Sequence, residues 1–223
     1  TALRDLGIRQ VQNLHSRIRI ELPPDTNMDL IRDRLVRVCG IANFSLGRVL
    51  PLQLENPDLE ALSAAAIAEI NTKSFQTFRV TAKRADKRLA MTSMDIEKAV
   101  GAAICAQTGK TVSLKAPDVT MLIELLSKEA YCAAGKIEGP GGMPVGVSGK
   151  VACLISGGID SPVAAYRLIK RGCHASFIHF SGRPLVSRAS EEKVRDLVQT
   201  LTQFQYHSRL YVVPFGEIQR EIV

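Results

Sequence analysis

The residues from Ser156 to Ser161, with the sequence SGGIDS, are of types that can bind phosphate. Two adjacent glycines allow the backbone to approach a ligand closely and to direct consecutive N–H groups into one concave site. Ser161 is a suitable N-cap and Pro162 fits the first position of a helix, so we predict a helix whose unpaired N–H groups face the turn. The stretch therefore predicts a phosphate-binding turn.

The turn contains no lysine, which separates it from the common nucleotide-binding loop. That loop, Gly-x-x-x-x-Gly-Lys-Ser/Thr, places a lysine at the β- and γ-phosphates. The sequence SGGIDS instead resembles Ser-Gly-Gly-x-Asp-Ser, the pyrophosphate loop of the ATP-pyrophosphatase superfamily. Members of that superfamily cleave ATP between the α- and β-phosphates and adenylate an acceptor, so the resemblance implies an ATP-binding site.

The same resemblance implies roles for individual residues. The pyrophosphate would be held by Ser156, Gly157, Gly158, Asp160 and Ser161, and Asp160 would lie near Mg²⁺ as the catalytic residue. Two strand ends would lie against the nucleoside, and they contribute Leu154, Ile155, His179 and Phe180. For the His179 side chain, a surface position without nucleotide contact is equally open, and a purely structural glycine turn is the alternative for the loop.

Short apolar runs on both sides of the turn predict the sheet that positions it. VACLI at 151–155, ASFIHF at 175–180 and RLYVVPF at 209–215 are typical of buried strands, with helical patterns at 161–171 and 188–204 between them. Strands that alternate with helices indicate a parallel α/β sheet, and ligands bind beyond the carboxyl ends of such strands. The phosphate-binding turn is expected at that edge.

The first part of the chain predicts a small α/β unit. Residues 16–23 alternate like a strand, 28–40 repeat apolar residues at helical spacing, and 41–52 are extended. A β-α-β unit of this size is half of a ferredoxin-like fold. We therefore expect a ferredoxin-like N-terminal domain at 1–52, with its opening strand upstream of Thr1.

An α+β module is predicted next. It has helices at 56–73 and 92–109, the second opened by a Thr92–Asp95 capping pattern, and a strand at 75–86 before further short strands. The glycine-rich stretch 138–150 is expected to be a flexible linker. These patterns predict an α+β domain at 53–147 and an apparently truncated parallel-sheet domain at 148–223.

Positive charge is concentrated at the end of the strand 75–86 and in the loop that follows. Only Asp86 opposes five cations there, namely Arg79, Lys83, Arg84, Lys87 and Arg88. Such a cluster can bind the phosphates of a nucleic acid. A solvated charged loop is the open alternative, and no row of aromatic residues indicates base stacking.

Composition limits the class of protein. The net charge of +7 favours a polyanionic partner, and no apolar run approaches the ~20 residues of a membrane span. Nothing at Thr1 resembles a signal peptide. The five cysteines are scattered without a Cys-x-x-Cys pair, which argues against a disulfide framework or a zinc site and for a cytoplasmic setting.

Four segments in order extend the resemblance to the whole chain: FRVTAKRADKR with TSMDIEKAVG, PDV, GPGGMPVGVSGKV, and LISGGIDSPVAAYRLIKRG. The combination resembles the tRNA 4-thiouridine synthetases, which are tRNA sulfurtransferases also linked to the thiamine thiazole. The resemblance implies a ferredoxin-like domain, a THUMP RNA-binding domain at 53–147 and a pyrophosphate-loop domain. It further implies a cytoplasmic homodimer that uses ATP and Mg²⁺ to adenylate uridine 8 of tRNA.

In the family, a cysteine desulfurase supplies sulfur as a persulfide, and a thiazole sulfur-carrier protein is a further partner. The resemblance departs from the family in two respects, because about three strands fit after Val151 where the family has five, and no sulfur-accepting cysteine is found. Cys173 is expected to pack against the sheet. The alternatives are a non-catalytic or fragmentary tRNA-binding THUMP protein, and another pyrophosphate-loop ligase such as an ammonia-using synthetase.

Overall fold

The computed structural model describes residues 2–8, 11–14, 17–53, 55–86 and 88–222. The chain divides into two compact units. One unit combines the residues up to Phe44 with those from Glu138 onward, and the other runs from Ser45 to Ile137. The sequence placed the first two domain boundaries at 52/53 and 147/148, and the structure groups 45–52 with the residues that follow them and 138–147 with the parallel sheet.

The described residues form six helices and twelve strands. The helices are α1 (Met28–Leu35), α2 (Leu59–Ile70), α3 (Ser93–Thr108), α4 (Asp160–Lys170), α5 (Arg188–Gln205) and α6 (Gly216–Ile222), and Arg4–Leu6 form a 3-10 turn. The strands are β1 (Val11–Leu14), β2 (Arg17–Ile20), β3 (Asn43–Phe44), β4 (Gly47–Pro51), β5 (Thr77–Arg84), β6 (Thr111–Val112), β7 (Val119–Leu125), β8 (Glu129–Ala134), β9 (Ile137–Glu138), β10 (Lys150–Leu154), β11 (His174–Ser181) and β12 (Leu210–Pro214).

A parallel sheet forms the centre of the first unit, as predicted. Its order is β10-β11-β12, and the register pairs Cys153 with Phe177 and His179 with Val212. Helices α4 and α5 bury Ile169 and Val194 in the same core as Phe177. Since both connections are helical crossovers between parallel neighbours, the carboxyl ends of all three strands lie at one edge.

The N-terminal segment contributes to this core. The predicted order of strand, helix and strand is confirmed by β2, α1 and β3, and the sequence missed β1, which pairs with β2 in an antiparallel hairpin. Asn27 caps α1, which ends at Leu35 and not at Gly40. The residues after the helix lead Cys39 into the core that also contains Cys153. The ferredoxin-like assignment stays a prediction.

The glycine-rich stretch 138–150 is not a flexible linker, which corrects the prediction from composition. Its backbone is fixed on the end of α4, because the Met143 N–H donates to Lys170 O at 2.9 Å and the Gly146 N–H to Gly172 O at 2.8 Å. Gly142 has a φ of +75°, and a Cβ there would lie 2.1 Å from Lys170 O. Its glycines therefore serve close packing and a left-handed turn.

The second unit is an α+β module. Its sheet has the order β4-β8-β7-β5-β6, and β4 pairs antiparallel with β8 from Gly47 to Pro51. That pairing is why 45–52 belong with this unit. Helices α2 and α3 bury Ile70 and Ile104 with Phe78 of β5. The predicted capping box of α3 is present, since Thr92 and Asp95 exchange hydrogen bonds.

Candidate nucleotide-binding site

The predicted phosphate-binding turn lies at the carboxyl edge of the parallel sheet. The Ile155 N–H donates to Ile178 O at 2.9 Å, which extends the β10–β11 pairing by one residue before the chain turns. Helix α4 then begins at Asp160, and Ile159 occupies the N-cap without a side-chain hydrogen bond. The predicted N-cap role of Ser161 is therefore wrong, because its hydroxyl points back to the strand end.

The hydroxyl groups of Ser156 and Ser161 close the turn. The Ser156 N–H donates to Ser161 Oγ at 3.0 Å, and the two hydroxyl oxygens lie 3.3 Å apart. The Gly158 N–H approaches Ser156 Oγ at 3.4 Å, which is a long hydrogen bond. Both serines thus shape the backbone around the glycines.

Neither glycine of the turn is required by the fold. Neither Gly157 nor Gly158 has a positive φ, and a Cβ at Gly158 would approach Ser156 Oγ no closer than 3.6 Å. A Cβ at Gly157 would lie 3.4 Å from Lys193 Cδ, an ordinary contact with a flexible side chain. The open space above the glycines is what a ligand that approaches the backbone needs.

Two backbone donors of the turn are unpaired within the part of the chain that the structure describes. The N–H groups of Gly157 and Ile159 have no hydrogen-bond acceptor among the described residues, and both precede the first turn of α4. N–H groups at a helix N-terminus favour anions through direct hydrogen bonds and the helix dipole. The turn can therefore bind phosphate oxygens.

The residues predicted to contact the nucleoside separate into two environments. His179 is buried, with Nδ1 3.0 Å from Ile155 O, so the surface position considered for it is wrong. Leu154 is 64% exposed and Phe180 is 49% exposed. The Phe180 ring packs edge-to-face on Phe215 with centroids 5.6 Å apart. Phe180 and Leu154 can offer apolar surface to a base, whereas the His179 ring braces the strand end.

Asp160 is exposed in the first turn of α4, where its side chain has no hydrogen bond or ion pair with another described residue. Among the described residues, no three His, Cys, Asp or Glu side chains form a cluster able to hold a metal ion. Mg²⁺ commonly binds through one or two carboxylates together with substrate phosphates and water. A single free carboxylate beside a phosphate-binding turn fits that mode.

A contact that the sequence did not predict fixes the end of β11. The Ser181 hydroxyl donates to Glu191 Oε1 at 2.6 Å, and this hydrogen bond lowers the pKa of Glu191. Arg183 lies 4.0 Å from the other carboxylate oxygen. Because Ser181 and Glu191 are ten positions apart in sequence, no local pattern could have indicated the pair.

The predicted basic segment divides into bound and exposed cations. Arg84 donates to Leu89 O at 3.2 Å and to Met91 O at 2.7 Å, so its guanidinium holds the loop before α3. Arg79 donates to Leu114 O at 3.2 Å. Lys83 is exposed.

The remaining two cations of the segment lie in the loop. Arg88 pairs with Asp86 at 2.6 Å, and this pair lowers the pKa of Asp86 to about 2. Lys87 lies outside the described residues. RNA binding by these residues, and the solvated-loop alternative, stay predictions.

Comparison with known proteins identifies both segments. The THUMP domain family matches residues 55–132, and the thiamine biosynthesis protein (ThiI) family matches residues 146–223. The predicted resemblance to tRNA sulfurtransferases is confirmed. A probable tRNA sulfurtransferase of Thermus thermophilus is 40% identical over 222 residues, which are 100% of this chain and 53% of that relative. The chain thus spans about half the length of the curated relatives it matches.

Solved structures agree with this result. A 4-thiouridine synthetase–RNA complex with bound ATP is 30% identical, with a TM-score of 0.84 over 99% of this chain and 58% of that chain. A structure from Pyrococcus horikoshii Ot3 is 26% identical, with a TM-score of 0.79 over 99% of this chain and 74% of that one. The multidomain fold class, with a THUMP domain and a parallel sheet, is confirmed.

Two further findings concern the cysteines and the helices. Cys39, Cys132 and Cys153 are buried, and burial raises the pKa of the Cys132 thiol to about 12. Cys173 is half-buried after α4, in line with its predicted packing role.

Within the described residues, no helix combines the length and the apolar composition needed to cross a bilayer.

Proposed function

We propose that this chain is the tRNA-binding and ATP-binding part of a tRNA sulfurtransferase that makes 4-thiouridine. The observation that carries the proposal is the open Gly157-Gly158 turn. The fold does not need its glycines, and the N–H groups of Gly157 and Ile159 have no acceptor among the described residues. The turn follows a parallel strand and precedes a helix, as in pyrophosphate-loop enzymes. The similar 4-thiouridine synthetase, solved with RNA and ATP, supports the assignment of both ligands.

In the proposed reaction, ATP adenylates O4 of uridine 8 and pyrophosphate leaves. The outer sulfur of a persulfide then attacks C4 and displaces AMP, and a second thiol cleaves the remaining S–S bond, which forms a disulfide with the donor and leaves the sulfur on the uridine. The turn would hold the departing pyrophosphate through the N–H groups of Gly157, Gly158 and Ile159 and through the hydroxyl groups of Ser156 and Ser161. The N–H groups of Gly157 and Ile159 are held in the turn before ATP arrives and have no other acceptor among the described residues, so they can stabilise developing negative charge without reorganisation. Mg²⁺, held by Asp160 and phosphate oxygens, would neutralise part of that charge.

The nucleoside would lie beside the strand ends. Leu154 and Phe180 would provide exposed apolar contact, and Ile155 and His179 would contribute through the backbone that their hydrogen bond fixes. The THUMP module would bind tRNA with Lys83 and Arg88 outermost, while Arg79 and Arg84 shape its surface. A cysteine desulfurase as donor, a thiazole sulfur-carrier protein, a homodimer and a cytoplasmic location complete the proposal.

The proposal is tested in the full-length protein with Asp160→Ala. We expect this variant to lose tRNA-dependent pyrophosphate release while tRNA binding is unchanged, because Asp160 is exposed and bonds to no other described side chain. Unchanged release would remove the turn from the mechanism. Binding of tRNA by the unaltered protein without any pyrophosphate release would favour the alternative, a non-catalytic tRNA-binding THUMP protein.

A further inference from the structure

Helix α5 brings a lysine to the turn that has none of its own. Lys193 Cδ lies 3.4 Å from the position of a Cβ at Gly157, the shortest such contact at this glycine. The ammonium group is two bonds beyond Cδ on a side chain that is exposed. Lys193 can therefore place its charge over the glycines, where the diphosphate is proposed to bind.

The position of Lys193 is fixed by its neighbours on the helix. Val194 is fully buried in the core of the parallel sheet, and Glu191 is held to Ser181 at the end of β11. These two contacts set the rotation of α5 and its distance from the sheet edge. Lys193 lies between these two residues in sequence, and its Cδ is 3.4 Å from the position of a Cβ at Gly157.

Lys193 is also free of acidic partners within the described residues. The adjacent carboxylates have other partners, since Glu191 accepts from Ser181 and lies 4.0 Å from Arg183, and Glu192 pairs with Arg188 at 3.2 Å. A lysine that is unpaired beside an anion-binding turn retains its full charge for a ligand. The two preceding acids, Glu191 and Glu192, therefore do not neutralise Lys193.

We propose that Lys193 binds the β- and γ-phosphates of ATP and neutralises the pyrophosphate as it leaves. Lys193 would take the role of the lysine that lies within the loop sequence of P-loop nucleotide-binding proteins. The positive charge of the Lys193 ammonium group would add to the N–H groups of the turn, which orient the phosphate oxygens but have little net charge. This inference rests on the proposed function and names a phosphate-binding residue for it.

The test compares binding of MgATP and of AMP to the full-length protein by titration calorimetry. We expect Lys193→Met to raise the Kd for MgATP roughly 10- to 100-fold, the value of one charge-assisted hydrogen bond, and to leave the Kd for AMP unchanged. Lys193→Arg keeps the charge and should restore most of the affinity. Lys150→Met is the matched control, because Lys150 is exposed at the start of β10, opposite the carboxyl edge.

Three results would overturn the inference. The Kd for MgATP could stay within twofold of the unaltered protein, Lys150→Met could weaken binding equally, or AMP binding could fall by the same factor as MgATP binding. Each leaves the proposed function standing if the unaltered protein binds MgATP and releases pyrophosphate. Absence of MgATP binding by the unaltered protein would refute the proposed function and this inference together.

Discussion

The substitution Gly157→Ala tests whether Gly157 is needed for ligand binding or for the stability of the fold. The added Cβ would be in ordinary contact with Lys193 Cδ only, at 3.4 Å, and the backbone is not left-handed. The folded state should therefore accept the methyl group. Because alanine restricts the unfolded chain more than glycine does, the free energy of unfolding should rise by about 0.4–1 kcal/mol.

ATP binding should respond in the opposite direction. The methyl group would occupy the space through which phosphate oxygens reach the N–H groups of the turn. Loss of one hydrogen bond to a charged group costs about 1.5–3 kcal/mol, which corresponds to a roughly 10- to 100-fold higher Kd for MgATP. The variant would thus be as stable as the unaltered protein, or more stable, and defective in binding.

The measurement is denaturant unfolding and calorimetric MgATP titration of the same full-length samples. Gly216→Ala is the contrasting variant, because a Cβ there would lie 2.0 Å from Arg183 O and should destabilise the fold by about 1–3 kcal/mol. If Gly157→Ala unfolds as easily as Gly216→Ala, the glycine is structural. If it binds MgATP normally, the space above the turn does not receive phosphate.

Two further predictions concern the THUMP module. The Asp118 carboxylate accepts hydrogen bonds from the Gln76 and Thr77 N–H groups at 2.9 and 2.8 Å, and these bonds lower its pKa. The ionised form of Asp118 therefore stabilises the fold above pH 3.8. This stability is lost as the pH falls through the lower pKa of the folded state. Asp118→Asn should lower the Tm at pH 7, and this difference should shrink as the pH falls below 3.8 and through the folded-state pKa of Asp118. A difference that is constant with pH would contradict this. Lys83→Gln should weaken tRNA binding and reduce the slope of log K against log salt by about 0.7–0.9 without changing the Tm. Arg84→Gln should weaken tRNA binding and also lower the Tm, because the Arg84 guanidinium donates to the Leu89 and Met91 carbonyls. An unchanged salt slope in Lys83→Gln would make that lysine part of a solvated surface.

The sequence was sufficient to predict those structural elements whose pattern lies within a few neighbouring residues. The alternation of β5, the capping box at Thr92 and the apolar runs of β10 to β12 each depend on adjacent side chains, and the structure confirms these elements. The family resemblance was also carried by short segments such as SGGIDS. These features needed no knowledge of distant contacts.

Contacts between distant residues account for what the sequence did not predict. Composition made 138–150 a linker, yet its glycines pack on Lys170 and Gly172, which lie on and just beyond α4. Ser161 has the type of an N-cap, but Ser156 at the strand end competes for its hydroxyl group. The sequence pattern did not indicate Lys193, because α5 comes close to the turn only when the parallel sheet is folded.

The parallel-sheet unit is built from two stretches of chain with the THUMP module between them. Cys39 shares its core with Cys153 and Ala165, which are translated only after the whole module has been made. Because domains generally fold as units while the chain is synthesised, the module can complete its own core first. The core that contains Cys39 can be completed only afterwards, once the residues beyond the module have been made.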